Sequence, residues 1–123
     1  MIFLPITKAQ QQAHEISGIV YAVGLTDLQG DCIQDPEVLR EASWDFMERV
    51  AAGEDVFNLN HDNSKPLRDI KVVESYVTDG DIIQKNGVKI PPYSWIMTIR
   101  IPEKIWPTIQ ASKGFSMEGT AEA

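Results

Sequence analysis

Apolar and polar positions along the chain follow patterns that predict four β-strands. Each candidate is a short run rich in apolar or β-branched residues. The four runs are residues 16–23, 56–60, 71–77 and 94–101. The turn dipeptides Asp79-Gly80 and Asn86-Gly87 separate the last two runs. The sequence therefore predicts a sheet-rich centre, in which residues 79–92 form either a long hairpin connection or a mobile loop.

A helix is predicted to begin at Asp35 and end near Gly53. Asp35 is a good N-cap acceptor, Pro36 suits the first helical position, and Glu37 complements the positive end of the helix dipole. Glycine is a common residue at the end of a helix. Apolar residues recur at helical spacing at Leu39, Ala42, Phe46 and Val50. This helix is expected to pack one apolar face on the sheet.

A second, shorter helix is predicted from Pro102 to near Gly114. Its apolar side consists of Ile105, Trp106 and Ile109. Pro107 has no N–H for an interior helical hydrogen bond, so the helix either kinks or starts nearer Pro107. Trp106 is expected to lie in the core.

These elements predict an α+β fold in a single domain that spans residues 1–123. The expected architecture is a curved antiparallel sheet or small β-barrel flanked by about two helices. A chain of 123 residues can bury a core and is too short for two ordinary domains. The three glutamines at residues 10–12 are expected to be a solvated lead-in, and His14 a surface or partly buried histidine.

Composition narrows the functional classes. Eighteen acidic and eleven basic residues give a net charge of −7, and no run of Lys and Arg exceeds two, which argues against nucleic-acid binding. The single Cys32 cannot form an intrachain disulfide. The first residues have neither the basic nor the long apolar part of a signal peptide, and no long apolar run predicts a membrane span. The expected location is a reducing cytoplasm or a particle assembled there.

Two short segments supply the groups that acyl transfer needs. The run 114–119 reads Gly-Phe-Ser-Met-Glu-Gly, and the run 58–62 reads Asn-Leu-Asn-His-Asp. Ser116 is the candidate nucleophile, and His61 is the candidate base that accepts its proton and returns one to the leaving amine. Taken alone, the glycine-flanked serine is more typical of an edge strand between two turns than of a nucleophile. The order of the two groups along the chain is His before Ser.

Both segments resemble the prohead, or capsid maturation, serine proteases of tailed phages, especially the XkdF-like branch. More distantly they are similar to the herpesvirus assemblins, which carry a similar Asn-His-Asp run. The resemblance extends to residues 18–21, 27–31 and 72–75 and covers most of the chain. It implies an assemblin-like fold and a cofactor-free endopeptidase that uses Ser116 and His61. The implied substrates are the scaffold, the scaffolding segment of the capsid protein and the protease itself, inside the prohead in the host cytoplasm.

The third catalytic group is left open by the sequence. Assemblins use a second histidine after the serine, whereas none of the seven residues after Ser116 is histidine. Glu118 would share a strand face with Ser116, about 6 to 7 Å along the strand. Glu74 lies on the strand that follows His61. Asp62 comes directly after His61, so on a strand its side chain would point to the opposite face. Glu74 and Glu118 are therefore preferred to Asp62, with a Ser-His dyad as the alternative.

Three further interpretations stay open or are disfavoured at this point. A non-catalytic head-assembly protein that binds scaffold or capsid through the protease fold is the alternative function. The few residues after Ser116 also fit a truncated or self-processed form, and dimerisation is expected from the resemblance to assemblins. Asp27, Asp31 and Asp35 lack the spacing of a calcium loop, and His61 has no second ligand at zinc spacing, so no metal is expected.

Overall fold

A four-stranded antiparallel sheet forms the centre of the protein. The computed structural model describes residues 1–23, 34–54, 56–59, 62–66, 69–111 and 116–117. In chain order the elements are β1 (Ile2–Phe3), α1 (Lys8–Ala13), β2 (Glu15–Ala22), α2 (Pro36–Ala51), β3 (Phe57–Leu59), β4 (Asp62–Pro66), β5 (Lys71–Val77), β6 (Ile83–Lys85), β7 (Val88–Ile90), β8 (Ser94–Arg100), a 3₁₀ turn (Glu103–Ile105), α3 (Trp106–Ala111) and β9 (Ser116–Met117). The main sheet has the order β1-β2-β8-β5, a smaller sheet has the order β4-β3-β9, and β6 pairs with β7.

The two central strands, β2 and β8, come from distant parts of the sequence and pair antiparallel. A register shift in β2 lies between Ile19 and Tyr21. Because a bulge places two successive residues on the same side of a strand, Val20 and Tyr21 both enter one core cluster. The bulge therefore increases the apolar area that β2 contributes to that face.

Helix α2 covers one face of the main sheet. Its N-cap, Asp35, accepts a 2.9 Å hydrogen bond from the backbone N–H of Glu37 through its carboxylate, and Pro36 begins the helix as predicted. Leu39 and Phe46 are the fully buried members of the predicted apolar stripe. They join the cluster that contains the β8 side chains Trp95, Met97 and Ile99. Burial of this stripe is what attaches α2 to the sheet.

The opposite face of the sheet is covered by the β6-β7 hairpin and the N-terminal segment. A second cluster there contains Leu4, Ile19, Ala22, Ile90 and Ile96. The hairpin turns at Asn86 and Gly87, which have φ values of 52° and 80°. Two successive positive φ angles are what a type I′ turn requires, and Asn-Gly is its preferred sequence. Residues 79–92 thus include an ordered hairpin, which was one of the two predicted forms.

The predicted α+β class and the four predicted strands are confirmed, with strand ends within one residue of the prediction. The open sheet agrees with the curved-sheet alternative, and the described residues form no closed barrel. Helix α3 begins at Trp106, so Pro107 occupies its second position and the helix starts near the proline as predicted. Trp106 is buried in the core, also as predicted.

The prediction of a solvated lead-in at residues 10–12 is wrong for Gln10, which is buried, whereas Gln11 and Gln12 are exposed as predicted. These glutamines lie in α1, which has a capping box between Thr7 and Gln10 and ends at His14 with φ 57°. The segment lacks an apolar stripe, which is why hydrophobic periodicity does not reveal it. The Gln10 side chain is buried and bonded to the sheet instead. Three α-helices therefore occur in the described part of the chain, one more than predicted.

Candidate active site

The strand that carries Ser116 lies beside the strand that leads toward His61. β9 pairs antiparallel with β3, with Ser116 opposite Asn58 and Met117 opposite Phe57. Directly opposed residues in an antiparallel pair have Cα atoms about 4.5 to 5.5 Å apart. The two segments that the sequence singled out are thus neighbours at the level of the backbone.

Strand β3 is held in place by the main core. Val56 and Phe57 are both buried, with Phe57 only 3% exposed. The Phe57 ring packs edge-to-face on Phe46 of α2, with centroids 6.0 Å apart. Since edge-to-face aromatic pairs contribute beyond the area they bury, this contact ties the small sheet to the helix and the main sheet. The backbone that meets Ser116 is therefore positioned by the core.

The other side of β3 pairs with β4. Leu59 is opposite Asp62 and Asn58 is opposite Pro66, with a register shift between the two pairs. His61 and Glu118 lie outside the described residues, and their roles stay predictions. The backbone of Asp62 begins β4.

Glu74 lies on the opposite side of the main sheet from β3. Its carboxylate Oε1 accepts a 2.6 Å hydrogen bond from the Thr98 hydroxyl and lies 3.3 Å from the Lys85 ammonium. Side chains alternate along β8, so Thr98 faces away from the cluster that contains Phe57. The structure does not bring Glu74 toward β3 and β9. Its contacts with Thr98 and Lys85 explain the position of this carboxylate without a catalytic role.

A chain of polar side chains continues from Glu74 across the sheet. The Thr98 and Ser17 hydroxyls are 2.6 Å apart, and the Gln10 amide donates to Ser17 at 2.8 Å. Asn86 in turn donates to the Gln10 carbonyl at 2.9 Å. The three central members of this network are buried, and each forms a hydrogen bond within it; they are Ser17, Thr98 and Gln10. The network joins β5, β8, β2, α1 and the β6-β7 hairpin.

These polar residues were missed by sequence analysis, although a signal was present. Ser17 and Thr98 each interrupt an apolar strand, and the antiparallel register places them opposite one another. A hydroxyl buried without a partner is costly, so two such interruptions predict a mutual contact once the register is known. The pairing of β2 with β8 is the information that the sequence alone did not provide.

The carboxylate of Glu74 is expected to make stability depend on pH. The hydrogen bond from Thr98, and then the charge of Lys85, lower the pKa of Glu74 from its ordinary 4.5. Because the folded state binds this proton less tightly than the unfolded state, the contribution is fully present above pH 4.5 and is lost as pH falls through the lowered pKa. The side chain is 48% exposed, so solvent screens the effect.

The variant Glu74→Gln is therefore expected to be less stable by about 0.5 kcal/mol at pH 7, with a smaller difference at pH 3. Urea unfolding of both proteins at the two pH values measures the difference. The same variant should keep any peptidase activity within about threefold, because its carboxylate is bound to Thr98 and Lys85. A much larger loss of activity with unchanged stability would instead restore Glu74 as the third catalytic group.

A separate cleft of about 450 Å³ opens at the end of the main sheet where β8 leaves it. It is lined by Gln12, Ala13, His14, Asp69, Lys71, Arg100, Ile101, Pro102 and Glu103. His14 stacks on Trp106 with ring centroids 4.9 Å apart, and it is half-buried as the sequence predicted. None of these lining residues belongs to β3 or β9.

The described residues contain no group of three or more His, Cys, Asp and Glu side chains that could hold a metal ion. Among their helices, none is both long and apolar enough to cross a membrane.

Comparison with known proteins gives the chain a family. The sequence model of the family described as "Putative phage serine protease XkdF" matches residues 4–123, which is nearly the whole chain. Neither a curated protein nor a solved structure gives a significant match. The more distant likeness to assemblins stays a prediction. The matched residues include both β3 and β9. The chain belongs to the phage serine protease XkdF family.

Proposed function

We propose that this protein is a serine endopeptidase of phage head maturation with Ser116 as nucleophile and His61 as general base. The hydroxyl of Ser116 would attack the scissile carbonyl while His61 takes its proton and then returns it to the leaving amine. Breaking of the C–N bond then releases the amine and leaves the acyl group on Ser116. Water attacks this ester with help from His61, which frees the new carboxyl group and restores the Ser116 hydroxyl. No cofactor takes part in these steps.

The pairing of Ser116 with Asn58 is the observation that supports this proposal most strongly. Asn58 precedes His61 by three residues, and three residues of fully extended chain span at most about 11 Å. Ser116 is about 5 Å from Asn58 across the ladder. Ser116 thus lies on the strand beside β3, and β3 ends two residues before His61 in the sequence.

Glu118 is the preferred third group in this proposal. It lies two residues beyond Ser116, so a continued strand would put both side chains on one face. Glu74 ranks below it because its carboxylate is engaged by Thr98 and Lys85 on the far side of the main sheet. A Ser-His dyad without a carboxylate is the remaining form of the mechanism.

The proposed substrates are the phage scaffold, the scaffolding segment of the major capsid protein and the protease itself. Cleavage would take place inside the prohead in the bacterial cytoplasm, so that fragments leave before DNA enters. Dimerisation or confinement in the prohead would raise the local concentration of enzyme and substrate. These partners and this location come from the family resemblance, and the absence of long Lys and Arg runs agrees with a protein substrate rather than nucleic acid.

The test is to incubate the purified chain with scaffold and capsid proteins of its phage and to map any cuts by mass spectrometry. Defined cuts that stop after treatment with a fluorophosphonate, with the phosphonyl group located on Ser116, are the expected result. Cuts that persist after complete labelling of Ser116 would contradict the proposal. The absence of cuts combined with stable binding to scaffold or capsid would favour the non-catalytic assembly function.

A further inference from the structure

Strand β5 presents a long open edge. It pairs with β8 on one side, and in the described residues no strand pairs with its other side. β5 has seven residues, whereas β1 at the opposite edge of the main sheet has two. Natural sheets usually blunt or cover their edges because an open edge can pair with another chain. The two edges of this sheet therefore differ in their capacity to accept a further strand.

The hydrogen-bond pattern shows which backbone groups face that open edge. The N–H of Thr78 bonds to the carbonyl of Ser94 at 2.8 Å, so this pair faces inward. Because hydrogen-bonded and non-bonded positions alternate in an antiparallel pair, the backbone N–H and C=O groups of Tyr76 also point toward β8. The backbone N–H and C=O groups of Ser75 and Val77 then point outward. The bond from the N–H of Ile101 to the carbonyl of His14, at 2.8 Å, agrees with this alternation on the other side of β8.

Apolar side chains are exposed along the same strand. Val73 is 47% exposed and Tyr76 is 37% exposed. A strand added at the edge would place its own side chains beside them, since diagonal and direct cross-strand neighbours are in contact. Apolar residues at alternate positions of the added strand share one face and would complement Tyr76 there. Val73 adds a second exposed apolar side chain at the same edge.

Charge indicates which end of the added strand is basic, and an antiparallel direction follows the main sheet, in which every described pair of strands is antiparallel. Asp79 and Asp81 follow the C-terminal end of β5, while the other end has Lys71 beside Arg100 together with Asp69 and Glu103. The C-terminal end of β5 is thus acidic, and its N-terminal end carries both positive and negative charges. An antiparallel strand would bring its N-terminal residues to Asp79 and Asp81, so basic residues are favoured there.

We propose that the open edge of β5 binds an extended polypeptide segment of a partner protein by β-strand addition. The segment has basic residues at its N-terminal end and apolar residues at alternate positions, and it runs antiparallel to β5. Hydrogen bonds to Ser75 and Val77 fix its register, as in other cases of strand addition. This inference goes beyond the proposed peptidase activity, because binding at this edge does not require Ser116 or His61.

The experiment measures binding of two fluorescent peptides to the full chain by anisotropy. One is Lys-Lys-Val-Thr-Val-Thr-Val-Thr with blocked ends, and the other has the same residues in reverse order. Both have the same charge and composition, so non-specific attraction to an acidic protein cancels in the comparison. The first peptide is expected to bind at least about fivefold more tightly than the reversed one.

Two variants localise the site. Val77→Pro removes an outward N–H and is expected to weaken binding about tenfold, with thermal unfolding to confirm that it folds. The double variant Val73→Ser with Tyr76→Ser keeps the backbone and should weaken binding about fivefold. Its matched control is Val38→Ser with Ile82→Ser, which changes two other exposed apolar residues and should leave binding unchanged.

Equal affinity for the two peptides, or loss of binding in the control but not at Val73 and Tyr76, would overturn the proposal. So would a dimer in analytical ultracentrifugation that Val77→Pro dissociates, because the edge would then belong to a second copy of this chain. None of these results bears on cleavage by Ser116, which is measured separately.

Discussion

Replacing Ser116 with alanine is expected to lower the rate of substrate cleavage by at least about 10³-fold. The substitution removes the only atom that would bond to the scissile carbonyl. Its backbone pairing with Asn58 does not involve the hydroxyl, so β9 should keep its place. The melting temperature should therefore remain within about 1 °C of the wild-type value, since the backbone ladder between β9 and β3 is kept. Rates from mass spectrometry and unfolding curves on the same preparations provide both measurements.

His61→Ala should have an effect of the same size, and the double variant should be no worse than either single variant. Groups that act in one step are non-additive, because losing either one already abolishes that step. Additive losses would show that His61 acts in another way. Glu118→Gln and Glu74→Gln in the same assay then separate the two candidate carboxylates, since only the group that orients the imidazole should lower the rate tenfold or more.

His14→Ala is the control for loss of a histidine. His14 caps α1, stacks on Trp106 and lines the cleft, whose described residues include none from β3 or β9. Its replacement should reduce stability and leave the cleavage rate per folded molecule within about twofold. If His14→Ala lowers the rate as much as His61→Ala does, our proposal names the wrong histidine as the base.

The main architecture could be predicted from the sequence because apolar periodicity and turn chemistry agreed. The strand from Lys71 to Val77 was predicted at its observed bounds, and Asp35 and Pro36 identified the start of α2. Helix α1 could not be predicted in the same way. Its stability comes from the Thr7 capping box and from the buried bond of Gln10 to Ser17, which is a tertiary contact.

The candidate site was predictable as two segments and not as a geometry. The need of a serine hydroxyl for a base, together with the resemblance of both segments to phage prohead proteases, pointed to Ser116 and His61. The pairing of Ser116 with Asn58 required knowledge of β9, whose two residues are too few for a pattern to predict. Glu74 was chosen from its position in sequence. Its bonds to Thr98 and Lys85 depend on the face of β5 that it occupies, and a register shift after Val72 affects that face.

Phe57→Ala is expected to have the largest effect on stability among residues near the site. Phe57 is 3% exposed and packs on Phe46, so its loss removes buried apolar area and leaves a cavity. The expected decrease in the free energy of unfolding is about 3 to 4 kcal/mol. Native proteins of this kind are stable by only about 5 to 15 kcal/mol, so the variant should be measured in urea at low temperature.

The same variant should also reduce cleavage by the molecules that remain folded. Phe57 is opposite Met117 in the ladder and adjacent to the residue that pairs with Ser116. Loosening β3 therefore changes the position of Ser116 relative to the segment that leads to His61, and catalysis is sensitive to displacements of about 1 Å. We expect the rate per folded molecule to fall about tenfold.

Phe46→Ala separates the effect on the core from the effect on the site. Phe46 is equally buried and belongs to the same aromatic contact, but it lies on α2. The free energy of unfolding of Phe46→Ala should fall by a similar amount, about 3 to 4 kcal/mol. The cleavage rate per folded molecule should fall less than threefold. If both variants lose activity equally, general loosening of the core explains the effect. If only Phe57→Ala does so, β3 transmits core packing to the position of Ser116.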